Sequence, residues 1–237
     1  MNEVMKSGGD FDKNPPVQVS QYDQSMKCFC AAYEEIFKMS HAYLNAMLGA
    51  DADILVVGAG TGAELCQFKL TNPNWKILGL DPSKEMLSIA ADKVKEKGLE
   101  QVELFHGFTH ELNKQEAFDG ATCILVMQFL EDDGSKLQLL KDIAVTLKKG
   151  STLVLVDAYG NPNTIEFNNT LKAWKKYVVL QGVDENIVED GFNNQILKRL
   201  KFVSQERILE LLDLAGFENS SKFYTGFLYG GWAATKR

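Results

Sequence analysis

The chain has 237 residues, 45% of them hydrophobic and 24% charged, proportions that suit one α/β domain with a cap or two small globular domains. A net charge of −7 argues against a general nucleic-acid or anionic-membrane binder. No apolar run approaches the roughly 18 residues of a membrane span.

The N-terminus, MNEVMKSGGDFDKNPPV, is polar and lacks the apolar core of a signal segment. Pro15-Pro16 marks an extended lead-in. The four cysteines are Cys28, Cys30, Cys66 and Cys123. Their spacing is neither zinc-type nor redox-type, so reduced thiols and a cytoplasmic location are expected. A helical segment is expected over Ser25–Leu48.

Next comes ILVVGAGTG, residues 54–62. Its unbroken apolar run predicts a strand buried on both faces, and the glycines predict a sharp turn into a helix, AELCQFKL, ending at Asn72-Pro73. KILGLD is a second strand, closing on Asp81. Met86, Leu87, Ala90, Ala91 and Val94 stripe a helix over Ser83–Lys97, stopped by Gly98. QVELFH is a third strand and FDGATCILVMQF contains a fourth. Leu137, Leu140, Ala144 and Leu147 stripe a helix expected to end at Gly150, and STLVLVDA is a fifth strand. This alternation implies a parallel sheet with helices on both faces. Residues 159–203 lack strand character and carry helical stretches near Thr164–Leu180 and Glu185–Leu200. Ser204 is placed to cap a helix running to Ala215, and FENSSKFYTGFLYGGWAATKR suits a two-stranded hairpin. One domain, residues 1–237, is expected: a lid at about 20–50, a core at about 51–158, a helical insertion at about 159–203, and a closing helix and hairpin at 204–237.

The glycine cluster permits positive φ and bare backbone against a ligand, and the helix beyond it presents free N–H groups. Asp81, at the same sheet edge, is placed to accept hydrogen bonds from two ribose hydroxyls. Together they point to an adenosine-containing ligand. Gly58-x-Gly60-x-x-Ala63 also fits a dinucleotide fingerprint, but no tyrosine is followed by lysine four residues later, so the usual short-chain reductase pair is missing.

These stretches, in this order, resemble the class I S-adenosylmethionine-dependent methyltransferases. ILVVGAGTGAEL is similar to that family's first motif, LGLDPSKEMLSIA to its second, LVMQFLEDD to the segment after the fourth strand, LKKGSTLVLVD to the fifth strand and its approach, and the C-terminal stretch to its closing helix and hairpin. The resemblance implies an α/β, Rossmann-like seven-stranded sheet, mostly parallel with an antiparallel last strand. It implies S-adenosyl-L-methionine (SAM) as cofactor, S-adenosyl-L-homocysteine (SAH) as product, and methyl transfer to a small-molecule acceptor. It places the cofactor on Gly58, Ala59, Gly60, Thr61 and Gly62, on Asp81, Pro82 and Met86, on Gly107, Phe108 and Thr109, and on Val126 and Met127. Two departures stand out. Val56 occupies a position where the family often has an acid for the ligand's amino group, and Phe108 follows Gly107 where an acid often reads adenine.

YDQSMKCFCAAYEEIFKMSHAYL, QFLEDD and the C-terminal ending look like the subgroup containing the carboxy-SAM synthase, in which a lid tyrosine, matched by Tyr33, contacts the methionine carboxylate. That synthase needs an arginine after the fifth strand, whereas residues 159–198 contain none and Arg199 is the nearest. Carboxy-SAM synthesis is therefore a minor alternative, as is a SAM-binding partner protein without catalysis. A homodimer is compatible with the sequence.

No catalytic residue is assigned, because a sulfonium donor carries its own reactivity and the protein chiefly positions the acceptor. His41, His106 and His110 are base candidates by chemistry, although local hydrogen bonding accounts for them more simply. Gln128 is equally an acceptor contact or a backbone partner. Trp174, Tyr177, Phe192, Phe29 and Phe37 either wall an apolar pocket or pack at helical spacing. The run Asp184-Glu185 to Glu189-Asp190 reads as a solvated face, and no metal site is expected.

Overall fold

The computed structural model describes residues 11–15 and 17–237. Part of the Pro15-Pro16 lead-in and the N-terminal decapeptide therefore lie outside the described residues. Seven strands form one sheet in the order β3-β2-β1-β4-β5-β7-β6: β1 (Asp53–Val57), β2 (Lys76–Asp81), β3 (Val102–His106), β4 (Phe118–Ile124), β5 (Leu147–Ala158), β6 (Phe217–Gly226) and β7 (Tyr229–Lys236). The pairs among β1 to β5 are parallel, and β7 runs antiparallel between β5 and β6. The parallel part is the one expected from the alternation of patterns, and the whole is the Rossmann-like seven-stranded sheet that the resemblance implied.

The unbroken apolar runs of the central strands are explained by helices on both faces. Ile54 and Val56 pack with Leu44, Leu65 and Phe68, on α2 (Tyr33–Met47) and α3 (Ala63–Thr71). Leu55 and Val57 point the other way, as alternation along a strand requires, and join Leu140, Ile143, Ile208 and Leu211, on α5 (Ser135–Thr146) and α9 (Gln205–Leu214). Local signals set many helix ends. The Ser83 hydroxyl accepts from Met86 N at the start of α4 (Lys84–Glu96), and Ser204 accepts from Arg207 N at the start of α9. Among the described residues no helix is long and apolar enough to cross a membrane.

Two expected elements differ. The helix expected over Ser25–Leu48 is broken into α1 (Tyr22–Phe29) and α2 by Cys30–Ala32, with Ala32 at φ 58. Tertiary partners overrode the helical pattern: Trp174 Nε1 donates to the Phe29 carbonyl at 2.6 Å and the Tyr224 hydroxyl to the Ala31 carbonyl at 2.6 Å. These bonds satisfy carbonyls that a helix end leaves free. The helix expected to reach Gly150 ends at Thr146, and the strand begins at once. Leu147 is fully buried and pairs with Phe118, with a register shift before Gly120.

The insertion is helical as expected: α6 (Ile165–Leu180), α7 (Glu185–Gly191), a π-helical turn over Phe192–Ile196 and α8 (Leu197–Arg199). Its acidic run is a solvated, paired face, with Lys175 on Glu189, Lys176 on Glu185, and Asp184 capping α7. Edge strand β6 carries register shifts between Glu218 and Ser221 and between Lys222 and Tyr224.

Candidate functional site

The loops after β1, β2, β3 and β4 converge at the carboxyl edge of the sheet. The turn after β1 is tied to the end of β2, because Gly58 N and Ala59 N both donate to the Leu80 carbonyl, at 2.9 and 2.8 Å. Gly58, Gly60 and Gly62 all have positive φ, 73, 51 and 80°, yet they serve different ends. A Cβ on Gly58 would fall 2.2 Å from Val126 Cγ2, and one on Gly62 would fall 2.9 Å from Ala90 Cβ. Those two glycines permit close packing. A Cβ on Gly60 would meet nothing nearer than the Gly58 carbonyl, at 3.9 Å. Gly60 is therefore bare backbone facing open space, as a ligand-bearing glycine should be.

Gly60 N donates to Asp81 Oδ2 at 2.9 Å, and Ser83 N donates to Asp81 Oδ1 at 2.8 Å. The acid is buried. Burial raises its carboxyl above the ordinary value, and the two backbone donors oppose that shift. Gly107 N donates to the Asp81 carbonyl at 3.1 Å, and His106 Nε2 contacts the Pro82 carbonyl at 3.0 Å, which brings the third loop alongside. Phe108 and His110 stack with their centroids 5.8 Å apart. Phe108 N donates to Glu111, and Thr109 is buried at the start of the following turn. At the fourth loop Val126 backs Gly58. The Met127 side chain is packed in the core with residues of α5 and α9, and its carbonyl accepts from Leu130 N, so the structure does not bring this residue to the open part of the site. Met86 is likewise buried, in the first turn of α4. Tyr33 begins α2, packs edge-on against Phe37 and reaches Asp23 with its hydroxyl.

The histidines have local partners. His41 is buried, stacks on Phe68 and meets Asn72 Oδ1 at 2.6 Å, while His106 and His110 are engaged as above. Gln128 donates to the Leu125 carbonyl, at 3.3 Å. Trp174 and Phe192 are fully buried and packed edge-to-face, so both are packing residues. Arg199 donates to Gln195 and to the Asn14 carbonyl. Among the described residues, no group of three or more His, Cys, Asp or Glu is placed to hold a metal.

Several residues around this edge escaped sequence reasoning. Asp12 accepts from the Ser83 hydroxyl and from Lys84 N and Glu85 N, bridging the N-terminal segment to the start of α4. Burial alone would raise its carboxyl, but those donors hold it below the ordinary value. Phe11 packs edge-on against Tyr22 and Phe129. Asp23 accepts from the Thr61 hydroxyl at 2.7 Å and pairs with Lys93 at 2.6 Å. Glu64, in the first turn of α3, is buried with one carboxylate oxygen unpartnered, and burial pushes its carboxyl up to about 7. Below the fourth loop, fully buried Lys136 donates to the Met127 carbonyl at 2.9 Å and lies 3.9 Å from Asp157. Burial lowers Lys136 and raises Asp157. Apart from Phe11, these are charged residues that no sequence motif marks. The one readable signal was the position of Glu64 inside a buried helix start.

Residues 55–153 match the family described as "Methyltransferase domain". A demethylmenaquinone methyltransferase of Bacillus cytotoxicus is 32% identical over 108 residues, 45% of this chain and 44% of the relative. One from Alkalihalophilus pseudofirmus is 31% identical over 156 residues, 65% of this chain and 64% of the relative. The chain thus spans less than half the length of the Bacillus relative that it matches. Among solved structures, a Burkholderia thailandensis 1,6-didemethyltoxoflavin-N1-methyltransferase, with 1,6-didemethyltoxoflavin and SAH bound, superposes with TM-score 0.62 at 19% identity, covering 92% of this chain and 84% of that one. A SAM-dependent methyltransferase of Aquifex aeolicus gives TM-score 0.62 at 17% identity, covering 94% and 98%. Glycine turn, carboxyl-edge acid and strand order accompany the methyltransferase-domain match over residues 55–153, and the chain shares the fold of these solved methyltransferases.

Proposed function

We propose that this protein is a SAM-dependent methyltransferase with a small-molecule acceptor. The observation that carries the reading is the Gly60 N–H on the Asp81 carboxylate, beside open backbone at Gly60. Such a pairing suits an adenosine ligand, with the ribose hydroxyls on Asp81 and the chain of the ligand along the turn. Residues Gly58 to Gly62, Asp81 to Ser83, Gly107 to Thr109 and Val126 would hold the cofactor, with Tyr33 at its methionine end. When bound, the cofactor supplies an electrophilic methyl group on a sulfonium. The protein's part is to align the acceptor and exclude water. The acceptors named for the relatives, demethylmenaquinone and 1,6-didemethyltoxoflavin, are small molecules, and this supports the same class here.

The lid and insertion are candidates for the acceptor's enclosure. They are joined by the Trp174–Phe29 hydrogen bond and by the Phe29–Phe192 contact, with ring centroids 6.0 Å apart. A cytoplasmic location belongs to the same reading. Calorimetric titration with SAH and with NAD tests it: saturable SAH binding and no NAD binding are expected, and NAD binding without SAH binding would overturn it. Hydrogen exchange with SAH should add protection over Ser25–Leu48.

A further inference from the structure

Three hydrogen-bond donors from three separate elements meet on one carboxylate. The Thr61 hydroxyl, on the glycine turn, donates to Asp23 Oδ1 at 2.7 Å. The Tyr33 hydroxyl, at the start of α2, donates to the same oxygen at 3.5 Å. Lys93 Nζ, on α4, donates to Oδ2 at 2.6 Å. Burial raises the Tyr33 phenol well above its ordinary value, which keeps it a donor. Two hydroxyls and an ammonium around one point form an arrangement that selects a carboxylate. The acid that fills it comes from α1, a short helix outside the sheet, and its side chain is only 28% exposed.

We propose that Thr61, Tyr33 and Lys93 form a cradle for the carboxylate of an amino-acid ligand, and that Asp23 is a built-in occupant which the ligand displaces. This rests on the reading of the glycine turn as a SAM and SAH site, and it names the groups at the amino-acid end of that site. Thr61 belongs to the glycine turn itself, so a ligand lying along that turn brings its amino-acid end to the cradle. A displaced Asp23 has space. A groove of about 600 Å³ between α2 and α3 opens at Asp23, Tyr33 and Ala63, and Lys27 lines it. Lys27 pairs there with Glu34 at 2.7 Å.

The occupant lowers apparent affinity by the fraction of time it fills the cradle. The test is calorimetry on the full chain with two probes: SAH, and 5′-methylthioadenosine, which lacks the amino-acid carboxylate and ammonium. Asp23→Ala should tighten SAH binding by about five- to tenfold and leave methylthioadenosine unchanged. Lys93→Met should weaken SAH by about tenfold and also leave methylthioadenosine unchanged. Asp23→Asn, of the same shape, serves if the alanine variant fails to fold. Unchanged or weaker SAH binding in the Asp23 variants would overturn the displacement. An equal effect of Lys93→Met on both probes would overturn the cradle. If wild type binds neither probe, the reading of the glycine turn itself fails, and that result is distinct from both.

Discussion

The glycine edge of the sheet and the lid that covers it are built on opposite principles. At the edge, the turn after β1 is held to β2 by two backbone bonds, Gly58 N and Ala59 N on the Leu80 carbonyl, with Gly60 N added on the Asp81 carboxylate. In the lid, α2 is packed on the sheet through Leu44, whereas the end of α1 and the break after it are anchored by side chains that reach single carbonyls, Trp174 to Phe29 and Tyr224 to Ala31. Backbone pairing tolerates changes of side chain, whereas single-donor anchoring concentrates the hold in a few aromatic residues. The edge is thus suited to present a fixed surface and α1 to be released from it.

The sharpest way to break this contrast is Trp174→Ala. It removes a fully buried ring and the donor to Phe29, a change that costs about 3–5 kcal/mol in typical cores. Hydrogen exchange should rise over residues 22–29 and 185–199 while β1 and β2 stay protected; equal loss everywhere would show lid and sheet to be one cooperative unit. Next in size is Gly60→Val. The protein offers that side chain room, so circular dichroism should be little changed, but positive φ and the lost bare backbone should lower SAH affinity about a hundredfold. Retained affinity would move the ligand off the turn.

Glu64 tests the rigid edge from beneath. Its folded value, about 7, lies above the ordinary 4.5, so the folded state holds a proton that the unfolded chain releases. Its stability contribution is complete below about pH 4.5 and is lost as pH rises through 7. Glu64→Gln should therefore match wild type in urea unfolding at pH 5 and exceed it at pH 8 by on the order of 2 kcal/mol. Equal stability at both pH values would mean that Glu64 is ionised in the fold. Smallest is Asp81→Ala, which should weaken SAH about tenfold with the fold intact. An unchanged dissociation constant would mean that the ribose is held elsewhere.

The same contrast explains what the sequence disclosed. The strands themselves, the glycine turn and Asp81 were legible because they rest on local patterns: a run buried on both faces, a turn that only glycine accepts, an acid at a strand end. Ser83 and Ser204 announced their helices by capping chemistry. The break at Cys30–Ala32 was not legible. Its cause lies in Trp174 and Tyr224, far along the chain, and Ala32 carries no mark of positive φ. Leu147 read as the last residue of a helical stripe, since an apolar residue serves a helix face or a strand equally, and its pairing with Phe118 decided the matter. Asp12, Asp23 and Lys93 were invisible for a related reason: isolated charges acquire partners only through the fold, while Val56, an absence of charge, was visible at once.

Strand β6 has one more consequence, for how copies of this chain meet. An exposed edge strand is a template for another chain's strand. Here the edge is interrupted by two register shifts, Asn219 sits at φ 54, and Glu218 and Lys222 are exposed along it. A strand laid against it would lose alignment within a few residues and would have to accommodate those charges. Growth of the sheet across molecules is therefore blocked on this side, and any self-association there must use side-chain surfaces instead of shared backbone hydrogen bonds.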